Sequence, residues 1–356
     1  MHFGETLSEE RYQNSMKLAY EEGIRTFITA DVYGTGRADK ALGEALAEFD
    51  RDSYCLVGML GHDFYEGERQ GSSGYPRFTN PSLRGAGEYH SFLRMACEKS
   101  LENCGTDHFD LVMLHNPDEL GYIDEDVWKA MENLRSEGLA QRLGIAPGPA
   151  NGFTLDTVQA FEKFGSSIDW AMIILNPLEP WPGQLVLEAA KKNKIDILTR
   201  VLDYGGIFHD DLTSAEDLKP GDHRAYRPEG WIERGRASME SMRPIAEKHG
   251  LTMLQFAAAW NLSQEPVKCT VPTFIQEAGE GKMSIEDQIK SFAATPEDAK
   301  LTPEEVEAVR LIGDNTGCMQ LKGASMRHES SERPDEWPMR DDLLALAVAY
   351  DLPQKW

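Results

Sequence analysis

Two side chains in this sequence stand where a proton could be passed: Tyr33, in TFITADVYG, and His115, in FDLVMLHNPD. Each ends or follows a short apolar run, which places each on the loop leaving a buried strand. A phenol and an imidazole on neighbouring loops can serve as general acid and base toward a hydroxyl or carbonyl. His62, in CLVGMLGHD, follows a third such run and is, from its position, the expected third acid–base group. Arg200 lies near the end of another apolar run, IDILTRV. A charge there must be paired or must face the mouth of the fold. We therefore expect Arg200 either to bind substrate or to pair with a carboxylate such as Asp203.

Two long loops, residues 62–87 and 202–231, concentrate further polar and aromatic groups. Long loops in a compact domain are more often functional than slack. From the second loop, Asp203, Tyr204, His223 and Arg224 are expected substrate contacts. Trp181, in NPLEPWPG, is a candidate to stack on a sugar ring. Clusters such as His209-Asp210-Asp211 also suit a divalent ion. Their spacing matches no compact ligand motif such as HExxH, and we expect no metal. Cys318 has no identifiable base partner and reads as an ordinary thiol.

Such residues need a scaffold, and the sequence describes one. From Ser8 onward, helical and strand patterns alternate with the period of a βα unit. Strands are expected over 24–30, 53–60, 109–115, 141–146, 170–176, 195–201 and 267–271. Helices are expected over 8–22, 37–49, 88–103, 124–137, 155–164, 183–192, 233–249, 252–263, 285–293 and 303–312. A tail, 313–356, carries one amphipathic helix near 340–349. Runs such as WAMIIL and FDLVML are apolar without alternation, as strands buried on both faces must be. Alternation of this kind leaves a doubly wound sheet or a closed barrel. No GxGxxG follows the first strand, and seven strands in one domain favour the α/β (β/α)₈ TIM-type barrel. Barrel chemistry sits at strand C-termini, where Tyr33, His62, His115 and Arg200 fall.

The 356 residues hold 60 acidic and 36 basic side chains, a formal charge of −24. That surface repels phosphate backbones and anionic lipid, so neither nucleic acid nor membrane is an expected partner. Five scattered cysteines without a CxxC pair suit reduced thiols and a cytoplasmic setting. No apolar run reaches membrane-spanning length, and the start MHFGETLSEE does not read as a signal peptide.

Four segments carry a family resemblance. EEGIRTFITADVYGTGRADKALGEAL and LENCGTDHFDLVMLHNPD are similar to the aldo-keto reductase segments bearing the active-site tyrosine and histidine. LRSEGLAQRLGIA and GLTMLQFAAAWNLSQEPVKCTVP resemble two further stretches of that family, in the same order. The resemblance covers about residues 1–312 and implies a (β/α)₈ barrel, with 313–356 an extension packing on it. It also implies NADPH-dependent carbonyl reduction by an Asp-Tyr-Lys-His tetrad. Tyr33 and His115 match that tetrad, whereas its Asp falls on Ile28 and its Lys on Met59. The pair that holds the nicotinamide amide falls on Pro147 and Gly148, and the family's glutamine falls on Met172. The arginine that would grip the 2′-phosphate falls on Gln288, within the acidic stretch PTFIQEAGEGKMSIEDQI. The family's first strand is short or missing.

The joint loss of these groups leads us to expect redox-neutral acid–base chemistry through Tyr33 and His115. The expected substrate is a small polar carbonyl, polyol or sugar-like molecule, and the reaction a lyase, dehydratase or isomerase type with no cofactor favoured. The alternatives are an NAD(P)-dependent oxidoreductase with a rebuilt cofactor site and a non-catalytic binding or regulatory protein.

Overall fold

The computed structural model of the chain describes residues 3–71, 74–148, 152–318, 321 and 339–352. The residues cluster into two compact units, Arg25–Ile173 with Leu185–Ile197 and Gly317–Trp356, and Met1–Ile24 with Ile174–Gln184 and Leu198–Thr316. Strands and helices alternate through both, which is the α/β, (β/α)₈ TIM-type architecture the sequence implied.

In the first unit the strands β1 (Thr26–Ala30), β2 (Cys55–Leu60), β3 (Phe109–His115), β4 (Ala140–Ala146) and β5 (Trp170–Ile174) follow in chain order. They pair in parallel, with Ala30 beside Met59, Leu60 beside Leu114, and His115 beside Ala146. This register brings the ends of β1, β2 and β3 to one level, from which Tyr33, His62 and His115 depart. Outside the strands pack α2 (Arg37–Leu46), α3 (Tyr89–Cys104), α5 (Glu125–Ser136) and α6 (Thr154–Phe164). Their inward faces, including Leu42, Leu93, Met131 and Phe161, are almost wholly buried. Full burial of such a side chain stabilises by about 1.5–3 kcal/mol.

The second unit carries the end of β6 (Asp196–Arg200) and β7 (Val267–Val271), linked by a 2.9 Å bond between the Thr199 and Thr270 hydroxyls. Its helices are α1 (Glu9–Glu21), α8 (Trp231–Lys248), α9 (Met253–Leu262), α10 (Ile285–Ala293) and α11 (Pro303–Ile312). Thr252 with Gln255, and Thr302 with Glu305, form reciprocal capping boxes that start α9 and α11 where the sequence placed them. Among the described residues no strand precedes α1.

Two elements differ from expectation. A short α4 (Glu119–Ile123), capped by the Asp118 carboxylate on Gly121 N–H, fills the start of the loop after β3. The helix expected over 183–192 opens as a tight 3₁₀ turn, Gly183–Val186, and becomes α7 only at Leu187–Asn193. No helix among the described residues is long and apolar enough to cross a membrane.

Candidate active site

Tyr33 is carried by a tight turn leaving β1, in which Tyr33 N–H donates to Ala30 O and Gly36 N–H to Asp31 O. Gly34, Thr35 and Gly36 all have left-handed backbones, at φ 61°, 54° and 89°, and the phenol is left 47% exposed. His115 ends β3 and is buried. Its ring meets that of Tyr33 edge-on, with centroids 5.6 Å apart and planes at 89°. His62 closes on His115 from the other side, at 5.0 Å and 75°. The approach depends on Gly61, at φ 148°, where a Cβ would lie 3.0 Å from the His115 carbonyl oxygen. The rings of Tyr33 and His62 thus both meet that of His115.

Their roles differ. His62 Nδ1 lies 3.3 Å from the Tyr75 carbonyl oxygen and Nε2 lies 3.2 Å from the Asn116 amide nitrogen. Arg77 Nη1 stands 3.4 Å from the same Nδ1, and its Nε donates to the Asn116 carbonyl oxygen. Nδ1 thus stands between a carbonyl that takes a proton from it and Arg77, a donor that requires it bare. Burial, and then the Arg77 charge, push His62 down to about 3. The ring is neutral throughout the physiological range. Of the acid–base role expected for His62, this leaves the neutral ring's part, beside His115.

Arg77, Asn116 and Asp31 were not singled out from the sequence. Arg77 sits in GSSGYPRF, which has no periodicity to mark it. Asn116 is distinguished by a left-handed backbone at φ 45°. Asp31 lies within TADVYG, 1% exposed, and neither carboxylate oxygen has a hydrogen-bond partner at normal distance. Burial, and then the neighbouring Asp39, hold its carboxyl well above the usual range. At the position of the family's lysine, Met59 is 4% exposed and packs as core.

In the second unit the polar residues divide sharply. Arg224 is 1% exposed, with its guanidinium bonded to Asp222, to both Glu277 oxygens and to the Gly205 carbonyl. Asp203 is fully buried and accepts from Gly206 N–H and Thr273 N–H, both at 2.8 Å. These two, expected to meet substrate, instead tie loops together, because a buried charge needs all its lone pairs and protons answered. Trp181 is also buried, its backbone clamped by the Asn315 side-chain amide at 2.9 and 2.7 Å. It caps the structure and offers no stacking face. Arg200 and Tyr204 are half-buried, with Arg227 over the Tyr204 ring at 4.5 Å, and His223 is exposed beside Tyr226. Those three remain reachable. Burial raises the Glu179 carboxyl, while Arg227, Asn176 and Arg200 pull it down. Among the described residues no group of three or more His, Cys, Asp or Glu is arranged to hold a metal ion.

A model of the aldo/keto reductase family matches residues 1–310. The chain belongs to the aldo-keto reductase family, and it is an enzyme of that fold. It is similar to a glycerol dehydrogenase from Gluconobacter oxydans, with 22% identity, a TM-score of 0.67 and 86% of each chain covered. It is also similar to an aldo-keto reductase from Bacillus halodurans, with 20% identity, a TM-score of 0.63, and 90% and 94% of the two chains covered. Among curated proteins, a versiconal hemiacetal acetate reductase of Aspergillus parasiticus is 23% identical, covering 85% of this chain and 87% of that one. A probable aldo-keto reductase 1 of Glycine max is 25% identical, covering 90% and 85%.

Membership of the family implies a nicotinamide dinucleotide, so the residues present must be tested against one. In the second unit, the loop after β7 is where an aldo-keto reductase would grip the 2′-phosphate. Gln288, at the arginine position, is fully buried. Its oxygen accepts from Ile275 N–H at 3.0 Å, and its amide donates to the Ile275 carbonyl at 2.6 Å and the Met283 carbonyl at 3.3 Å. Lys282 donates to the Asp211 carbonyl at 2.6 Å and pairs with Asp217. Glu277 is held by Arg224, and Glu286 by Arg11 at 2.9 Å. Gln288, Lys282, Glu277 and Glu286 are thus each already engaged. In the first unit Pro147, Gly148 and Met172 offer no side-chain amide or hydroxyl. These residues do not fit NADP(H).

Proposed function

We propose that this aldo-keto-reductase-fold enzyme carries out redox-neutral acid–base chemistry on a small polar carbonyl, polyol or sugar-like substrate, without a bound nicotinamide. The observation that carries the reading is Gln288, buried and bonded three times to the backbone of the loop that would otherwise grip a phosphate. Tyr33 is the exposed acid. It delivers its phenolic proton to a carbonyl oxygen while His115 accepts the proton released from the adjacent carbon or hydroxyl. Return of the His115 proton to the neighbouring carbon, with a hydroxyl proton of the enediol passing back to Tyr33, completes an isomerisation. Its transfer instead to a β-hydroxyl, which leaves as water while the carbonyl re-forms and the enol proton returns to Tyr33, completes a dehydration. Neither needs a net electron donor. The enzyme is proposed to work in the cytoplasm on a small molecule.

A second reading, an NAD(P)-dependent oxidoreductase, is favoured by the relatives, which are named as reductases and a dehydrogenase. A Klebsiella pneumoniae aldo-keto reductase of similar fold is described in complex with NADP and acetate. Calorimetric titration with NADPH, NADP⁺, NADH and NAD⁺ separates the two. The redox-neutral reading expects no heat of binding up to millimolar concentrations. A dissociation constant in the micromolar range, on the order of −8 kcal/mol, overturns it in favour of reduction.

A further inference from the structure

Arg227, in the stretch KPGDHRAYRPEGW, is a half-buried cation held by packing alone. Its guanidinium lies over the Tyr204 ring at 4.5 Å and the Trp231 ring at 4.8 Å. Gly205, at φ 69°, leaves it room: a Cβ there would lie 3.6 Å from Arg227 Nη2. Among the described residues its side-chain N–H groups make no hydrogen bond and no ion pair. Arg224, three residues earlier, is the opposite case, with its guanidinium spent on Asp222, Glu277 and the Gly205 carbonyl.

Two further charges belong to the group. Glu179 follows β5, and Arg200 ends β6; both are half-buried. Arg227 and Arg200 each act on the Glu179 carboxylate electrostatically. That carboxylate nonetheless closes no ion pair among the described residues, and its hydrogen bond is a long one, 3.5 Å from the Asn176 amide. The same amide donates to the Val201 carbonyl at 3.0 Å. Val201 and Tyr204 are held in left-handed backbone, at φ 58° and 50°. Such conformations are costly for β-branched and bulky residues and collect at ligand sites. All of these residues belong to the second unit.

We propose that Arg227 and Arg200 form a binding site for the carboxylate group of a small molecule, with Glu179 as the resident carboxylate that balances them when no ligand is bound. A guanidinium fork matches a carboxylate with two parallel N–H···O bonds. Backing by aromatic rings orders the Arg227 fork in advance, so little side-chain freedom is lost on binding. Two cations against one carboxylate leave a positive balance, in a chain whose formal charge is −24. That balance suits a monoanion, whereas the second charge of a phosphate would be set against Glu179. Burial disfavours charge on Glu179 itself, which lessens its competition with a ligand. Carboxylate binding here needs neither Tyr33 nor His115, so it stands or falls apart from the acid–base reading.

Calorimetric titration of the full chain with acetate, pyruvate and D-gluconate tests this, with D-glucitol and inorganic phosphate as comparisons. At least one carboxylate is expected to saturate below about 10 mM, and D-glucitol to bind more weakly than D-gluconate. Arg227→Met is expected to weaken the best carboxylate about tenfold or more, the loss of a charge-assisted hydrogen bond. Arg227→Lys keeps the charge without the fork and is expected to fall between. Glu179→Gln removes the competing carboxylate and is expected to bind the same probe roughly threefold more tightly, a gain that a purely structural role would not produce. The proposal is overturned by no saturation with any of the three, or by affinity that a folded Arg227→Met protein retains. Phosphate bound more tightly than every carboxylate, or unchanged or weaker binding in a folded Glu179→Gln protein, overturns it equally. Circular dichroism shows which variants have folded. Should Arg227→Met not fold, the wild-type titration and Glu179→Gln decide.

Discussion

The phenol of Tyr33 and the imidazole of His115 meet edge to face at 5.6 Å between centroids, one ring 47% exposed and the other 6%. In the proposed chemistry the exposed phenol is the acid and the sheltered imidazole the base, so substrate approaches from the phenol's side. Proton transfer by a positioned side chain is worth about 10²–10⁴ in rate. Tyr33→Phe is expected to lower turnover by that factor once a substrate is in hand. Because the ring edge contact survives, the thermal midpoint is expected to stay close to wild type, as scanning calorimetry can check.

Arg224 and Glu277 form a buried ion pair with Asp222 as third member. Removing one member of such a group leaves the others charged and dry, which costs about 3–5 kcal/mol. Glu277→Gln and Arg224→Met are expected to lose that much in urea unfolding. A substitution of His223, on the exposed neighbouring surface, is expected to lose almost nothing.

Asp31 gives stability a pH slope of predictable sign. Its folded carboxyl titrates well above the unfolded value, because of burial and then Asp39. The folded state therefore holds a proton that the unfolded state releases. The associated stability is fully present below the unfolded pKa and is lost as pH rises toward the folded one. Asp31→Asn is expected to melt higher than wild type at pH 7 and to show a flatter dependence above pH 4. A steeper slope in the variant would contradict the assignment.

Met59→Lys restores one residue of the reductase tetrad without its partner, since Ile28 stands where the aspartate would be. Met59 is 4% exposed, so the new ammonium is unpaired in core. It is expected to destabilise by at least about 3 kcal/mol and to bring no NADPH oxidation with aldehydes, measured at 340 nm. A double variant that adds Ile28→Asp is expected to recover part of the stability.

Where local signals decide structure, the sequence was readable. The limits of β3, β7, α10 and α11 follow from apolar runs and caps such as Thr302 with Glu305. Tyr33 and His115 were legible because both end apolar strands. The burial of Arg77 was not, because its partner Asn116 lies 39 residues away and is met only after folding. Arg224 and Asp203 misled in the opposite direction. A charged residue in a long loop reads as available, and only the partners Glu277 and Thr273, 53 and 70 residues further on, reveal that it is spent.

The bonds of Gln288 to Ile275 and Met283 also make its loop resistant to single substitutions. Reinstating an arginine there first strands the Ile275 amide and carbonyl, each costing about 1–3 kcal/mol when left dry, before any phosphate is present to repay it. Neutralising Glu277 strands Arg224 in the same way. Either change, made alone, therefore destabilises the loop. Gln288 thus works as a keystone for its loop, and the whole loop has to be rebuilt before that position can take a charged side chain.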